Sequence, residues 1–304
     1  MPITLPPLSR RRFIGQSLFA GAALLLRPRG FAATATAKVD PHTWALLSDP
    51  HIAADRAKIA RTINMAAQLT TVVQDVLAQS RRPVAALVNG DLAFNTGETV
   101  DYATFTELIA PLRTAQIPLH LALGNHDHRE RFWAALRDDA TAVRPVADRQ
   151  VAFVPAARAN WFILDSLDET NSTPGLLGEA QLAWLARELD AHADKPALVM
   201  SHHNPTLDPT KVSIIDEAAL YAVLRPRRHV KAHLFGHSHR WSVTQEESGL
   251  HRINLPTTAY VFEATQPIGW VSAQLEPRGM TLQLRCVDPA RKEHGQTKAL
   301  TWRT

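Results

Sequence analysis

Five short apolar runs in this chain each stop at a knot of metal-ligating side chains, and that repetition narrows the fold more than any bulk property does. HTWALLS (42–48) runs into Asp49 and His51, and PVAALVN (83–89) runs into Gly90 and Asp91. PLHLAL (118–123) leads to Gly124, Asn125, His126 and Asp127. PALVMS (196–201) leads to His202 and His203, and HVKAHLF (229–235) to Gly236, His237 and His239. Apolar runs this short, bounded by glycine, proline and polar residues, read as buried strands. Ligands collected at strand ends suit an α/β sheet, whose sites lie in loops beyond the carboxyl ends of its strands.

The segments between these runs support that reading. Apolar residues recur at helical spacing over 57–80, 101–115, 178–192 and 216–226, and ANWFILD (159–165) adds another strand. Alternation of this kind argues for an α/β architecture with buried sheets. From 241 onward the pattern is strands alone (WSVTQEE, HRINL, WVSAQLE, MTLQLRCV), expected to complete the second sheet.

Each strand ending also has an ordinary explanation. Asp49 or Asp91 can cap a helix or turn, Asn125 after a glycine can take a left-handed turn, and a histidine can be a hydrogen-bonded core residue. Five such endings in one chain make coincidence a poor explanation. His237 and His239, two apart in an extended segment, point the same way and can face one site. Gly90, Gly124 and Gly236 stand at sharp exits where a side chain would crowd it.

Composition adds little about chemistry but much about the N-terminus. The 304 residues are 45% hydrophobic and 20% charged, ordinary for a globular chain. The formal charge of +4 comes from residues 1–37, which hold five arginines and no acid. Without them 28 basic residues face 29 acidic ones, a formal charge of −1, so a nucleic-acid partner is not favoured. In the same segment Ser9, Arg10, Arg11, Phe13 and Ile14 resemble the twin-arginine export pattern, followed by an apolar run ending at Leu26 and by ATATA at 33–37. The run from Phe13 to Leu26 has 14 residues, against the roughly 20 a membrane span needs. The expectation is an export signal over 1–37, one domain over 38–304, a periplasmic or secreted product, and no stable membrane insertion once the signal is removed. Cys286 is the single cysteine, so no intramolecular disulfide forms.

The donors are two aspartates, an asparagine and four histidines, a mixed oxygen–nitrogen set that suits Mn, Fe or Zn better than Ca or Mg. Seven ligands exceed what one transition ion with an open position takes. They fit two ions sharing a carboxylate, an arrangement that clamps a phosphate and activates water.

In this order, the blocks DPH, GD, GNHD, HH and GHSH resemble those of the calcineurin-like metallophosphoesterases, over about residues 42–240. The resemblance implies a four-layer αββα sandwich and two-metal hydrolysis of phosphoesters. It implies one ion on Asp49, His51, Asp91 and His239, a second on Asp91, Asn125, His202 and His237, and Asp91 bridging. His202 is taken over His203. Asn125 and His126 are the implied substrate contacts, His126 protonates the leaving oxygen, and Asp127 orients His126. Phe94 stands where purple acid phosphatases have a ligating tyrosine, so a purple ferric site is not expected. LDS (164–166), AWL (183–185) and GHSHRW are similar to the branch with bacterial cyclic-nucleotide and glycerophosphodiester phosphodiesterases. That implies a small-molecule phosphodiester substrate, with a phosphomonoesterase or a non-enzymatic metal-binding protein as alternatives. The short stretch Pro205 to Asp216 suggests an open site, His128 and Arg129 are further candidate substrate contacts, and Trp241 is expected to pack.

Overall fold

The protein is described by a computed structural model over residues 4–5, 7, 38–136, 144–205 and 213–304. The expected export signal from Ser9 onward lies outside the described residues, as do 206–212 of the expected open-site stretch.

The chain runs through β1 (Thr4–Leu5), β2 (Lys38–Ser48) and a small hairpin of β3 (Ile59–Ala60) and β4 (Ile63–Asn64). Alternation follows: α1 (Met65–Ala78), β5 (Arg81–Asn89), α2 (Thr99–Thr114), β6 (Leu119–Ala122) and α3 (Arg129–Ala135). The second half continues with β7 (Ala152–Val154), β8 (Asn160–Ile163), α4 (Glu179–Ala191), β9 (Ala197–Met200), α5 (Glu217–Leu224) and β10 (Val230–Phe235). It closes with β11 (Ser242–Gln245), β12 (His251–Asn254), β13 (Gly269–Glu276), β14 (Gly279–Cys286) and β15 (Thr297–Thr301).

One sheet has the order β1-β6-β5-β2-β13-β14-β15, the other β11-β12-β10-β9-β8-β7. Strands β2, β5 and β6 are parallel, as are β8, β9, β10 and β12. Side chains alternate faces along a strand, and β2 divides its residues accordingly. Ala45 and Leu47 join Leu69 and Val72 of α1 and Phe105 and Ile109 of α2. Trp44 and Leu46 join Trp161, Leu198 and Leu234 of the second sheet. That sheet turns Phe162 and Val199 outward onto Leu185 of α4 and Leu220 of α5. The result is helix, sheet, sheet, helix, the expected four-layer αββα sandwich.

Two elements differ from the sequence expectation. The helix expected over 57–80 begins only at Met65, because Asn64 Oδ1 caps it, accepting from Ala67 N at 2.8 Å. Before that cap, Arg61 and Thr62 form the two-residue loop of the β3–β4 hairpin. The C-terminal strands are also split: β11 and β12 extend the second sheet, whereas β13, β14 and β15 extend the first. Sheet membership depends on which edge is free, which no local pattern encodes.

Leu46 is fully buried between the sheets. Leu46→Ala should cost about 2–5 kcal/mol in urea unfolding, whereas Val39→Ala, with Val39 48% exposed, should cost under about 0.5 kcal/mol.

Candidate metal centre

The strand ends reach their positions through strained backbone. Asp49 (φ 54°), His51 (φ 48°), Asp91 (φ 49°), His237 (φ 64°) and His239 (φ 52°) are all left-handed. Such a conformation costs a non-glycine residue about 1–3 kcal/mol, and its clustering marks functional sites. The sequence reading placed the sharp exits on the glycines alone. All three glycines are indeed required. At Gly90 (φ 75°) a Cβ would sit 2.5 Å from His202 Nδ1, at Gly124 it would overlap the Asp91 carboxylate, and at Gly236 it would overlap the Ser48 hydroxyl.

The exits bring the expected donors into two groups that share Asp91. Ligand atoms of Asp49, His51, Asp91 and His239 lie within 4.8 Å of one another, and so do those of Asp91, His202 and His237. Asp91 Oδ2 lies 3.5 Å from His51 Nε2 and 3.4 Å from His202 Nε2. Asp49 Oδ1 lies 3.4 Å from His239 Nε2 and 3.8 Å from His202 Nε2. Asn125 is 1% exposed, and its Oδ1 is buried without a hydrogen-bond partner, as is Nε2 of His202. A buried acceptor left unpaired is costly, so Asn125 Oδ1 fits a cation that the protein itself does not supply, and His202 Nε2 fits one once its proton is displaced.

Backbone carbonyls set which imidazole nitrogen faces the centre. His202 Nδ1 is 2.8 Å from Asn89 O, His239 Nδ1 is 2.5 Å from Tyr260 O, and His51 Nδ1 is 3.4 Å from Phe94 O. A carbonyl only accepts, so each ring donates from Nδ1 and turns Nε2 toward the centre. His51 and His239 thus bring their Nε2 atoms within 3.1 Å of each other. His203 is different. Its Nδ1 is 2.8 Å from Ser166 Oγ, which already accepts from the His203 N–H at 3.1 Å. With Nδ1 engaged by Ser166, His203 stands in neither donor group, whereas His202 belongs to the second.

Electrostatics follow from this crowding. Burial alone would raise the carboxyl of Asp91, but His202 and His51 outweigh it and hold it well below the usual range. Asp49 is lowered in the same way, burial being overcome by His202 and His239. Burial pushes His51 down to about 4 and His237 to about 3. His202 goes up to about 10: burial opposes its charge, but Asp91 and Asp49 prevail. In the protein alone, a proton on His202 balances the two carboxylates.

His126 and Asp127 behave differently from one another. His126 lies in a cleft of about 350 Å³ with His51, Asp91, Asn125, His237, His239 and Phe262 in its walls. Its backbone N–H donates to Asp91 Oδ1 at 2.8 Å, and its Nδ1 lies 2.8 Å from Asn95 O. The expectation that Asp127 orients this ring is corrected. The buried Asp127 carboxylate accepts instead from the N–H groups of Leu92 (3.1 Å), Ala93 (3.1 Å) and Gly124 (2.9 Å) and from the Tyr102 hydroxyl (3.2 Å). It ties the loop after β5 to the loop after β6. Burial, and then Asp91, push it up to about 7.

Other candidates fall into place. Arg129 pairs with Asp165 through Nε (2.7 Å) and Nη2 (3.1 Å), so it braces the fold. His128 faces Glu130 at 3.1 Å. Trp241 packs against the cluster between the sheets. Phe94 offers the centre only its backbone carbonyl. Sequence reasoning missed Tyr260 and Phe262, whose rings lie 5.0 Å from His51 and 4.4 Å from His239. They come from an irregular segment without ligand-type residues.

Residues 43–241 match the family model described as calcineurin-like phosphoesterase, and the chain belongs to that family. It is similar to the 3′,5′-cyclic adenosine monophosphate phosphodiesterase of Pseudomonas aeruginosa, 28% identical, covering 71% of this chain and 76% of the relative. It is similar also to a cAMP/cGMP dual specificity phosphodiesterase of Mycobacterium tuberculosis, 29% identical over 78% and 73% of the two chains. A glycerophosphodiester phosphodiesterase of Enterobacter lignolyticus is 28% identical over 73% and 81%. Among solved structures, a dimetal phosphatase from Danio rerio shares the fold with a TM-score of 0.66 at 18% identity, covering 86% of this chain and all (100%) of that one.

Loading the cluster with a divalent cation at pH 7 should release about one proton per chain, because His202 is protonated below about 10 and must be neutral to ligate. Calorimetry in two buffers of different ionisation enthalpy measures it. Asp127→Ala should lower unfolding stability by about 3 kcal/mol or more by leaving three buried N–H groups unpaired. His126→Ala should leave stability within about 0.5 kcal/mol.

Proposed function

We propose that this chain is an exported phosphodiesterase that uses two metal ions to hydrolyse small phosphodiesters. Its class, a metal-dependent phosphoester hydrolase, accords with the family and with the named phosphodiesterase relatives. The observation that carries the reading is the pair of donor groups sharing Asp91, with Asn125 Oδ1 and His202 Nε2 buried and unpaired beside them. One ion would be held by Asp49, His51, Asp91 and His239, and the other by Asp91, Asn125, His202 and His237. The donors suit Fe, Mn or Zn. When bound, the ions neutralise the phosphoryl oxygens and acidify the attacking water.

The chain's own residues supply the rest. The bond between the His126 N–H and Asp91 Oδ1 fixes the loop bearing Asn125 and His126 against the shared carboxylate. Asn95 O holds the Nδ1–H of His126, so a protonated ring has Nε2–H free to donate to the departing alkoxide. The buried walls exclude water from the back of the centre, and the cleft admits the ester from the front. Export rests on the Ser9–Ile14 pattern alone. Among the described residues, no helix is long and apolar enough to cross a membrane.

Metal-stripped protein refilled with Mn, Fe or Zn should hydrolyse bis(p-nitrophenyl) phosphate in preference to p-nitrophenyl phosphate. Asn125→Ala should lower diester turnover about 100-fold or more. Preference for the monoester would replace this reading by a phosphomonoesterase on the same site. Absence of turnover with every metal and both substrates would favour a metal-binding protein without activity.

A further inference from the structure

One wall of the cleft is built from residues that hold no ion. Phe262 is 53% exposed, lines the cleft, and lies with its ring nearly parallel to that of His239 (18°, centroids 4.4 Å apart). The guanidinium of Arg61 lies 4.9 Å from the Phe262 ring centre and 5.8 Å from that of Tyr260. Among the described residues no carboxylate pairs with Arg61, so its planar N–H donors stay available at the lip of the site.

The backbone beneath Arg61 is strained to put it there. Arg61 (φ 47°) and Thr62 (φ 70°) are the two central residues of the β3–β4 loop, where Ala60 pairs with Ile63. A two-residue hairpin with both φ positive is normally filled by Asn-Gly or Asp-Gly, and a β-branched residue there is an outlier. The hairpin is held in place from below, since Asn64 both caps α1 and donates to Arg56 O at 2.9 Å. Strain of this kind, kept at the rim of a reactive centre, points to a function for the side chain it presents.

Resting on the phosphodiesterase reading, we propose that Arg61 and Phe262 form the subsite for the alcohol group of the diester, and that this group is a nucleobase-bearing or other aromatic alcohol. Aromatic rings and guanidinium planes are the two surfaces on which bases stack, and the guanidinium edge supplies donors to the acceptors of a base. A small alkyl alcohol such as glycerol would use neither. Both residues therefore set specificity, and neither is needed for hydrolysis of the ester bond itself.

The test compares metal-loaded wild-type, Arg61→Ala and Phe262→Leu protein on 3′,5′-cyclic AMP and on glycerophosphoethanolamine. The leucine keeps an apolar cover on His239 while removing the π face. The preference for the cyclic nucleotide, as a ratio of kcat/KM, should fall about tenfold in each variant, through KM rather than kcat. An unchanged ratio would overturn the proposal, as would equal losses on both substrates, which would reduce the wall to a support for His239. A binding arm keeps the outcome independent of the reaction catalysed. Adenosine 5′-monophosphate should bind wild type more tightly than inorganic phosphate does, and the difference should shrink about tenfold in both variants. If wild type hydrolyses neither diester yet shows this difference, the diesterase reading fails and the subsite stands; if it shows no difference, the subsite fails.

Discussion

The carboxylate of Asp91 has to serve both sheets at once. It stands at the end of β5 in the first sheet, gives Oδ1 to the His126 N–H from the end of β6, and turns Oδ2 toward His51 and His202. His202 comes from the second sheet, directly after β9. A buried carboxylate is tolerable only when it is paired and hydrogen-bonded. Here the pairing partners are imidazoles whose lone pairs also need a positive charge between them. The protein alone answers with a proton on His202, whereas the two cations of the proposed centre would answer for all the donors together. The electrostatics of the site, the choice of tautomers and the joining of the two sheets at this end all follow from that shared need.

The arrangement is bought with backbone strain. Five ligand-type residues sit at left-handed φ, and their loops stay in place because polar groups behind them are fully occupied. Asp127 gathers three N–H groups and a tyrosine hydroxyl. Ser48 donates to Asp49, whose carboxylate also accepts from the His237 N–H at 3.2 Å, tying the first sheet to the loop after β10. Stability is spent locally to hold the donors ready, while the cluster between the sheets supplies it elsewhere.

Much of this was legible in the sequence because local rules decide it. Short apolar runs ending in ligands had to be buried strands, and all seven proposed donors do gather at one end of the two parallel sheet cores. What failed depended on partners distant in sequence or on side-chain direction. The helix over 57–80 was overextended because apolar spacing continues past Asn64, where only the cap stops it. β13 and β14 were assigned to the wrong sheet because a strand pattern does not name its neighbour. Asp127 was read as a support for His126 from adjacency, but its carboxylate turns to the backbone behind. The ring orientations of His202 and His203 depend on a carbonyl and a hydroxyl 113 and 37 residues away along the chain. Arg61, Tyr260 and Phe262 carry no metal-binding signal and meet only in the folded chain.

The measurement that tests sharing by Asp91 most directly is the number of metal ions bound per chain, by equilibrium dialysis and elemental analysis, with circular dichroism to confirm folding. Wild type should hold two ions, His237→Ala should keep one, and Asp91→Ala should keep neither tightly. An Asp91→Ala protein that is folded and still retains one tightly held ion would contradict the shared-carboxylate centre.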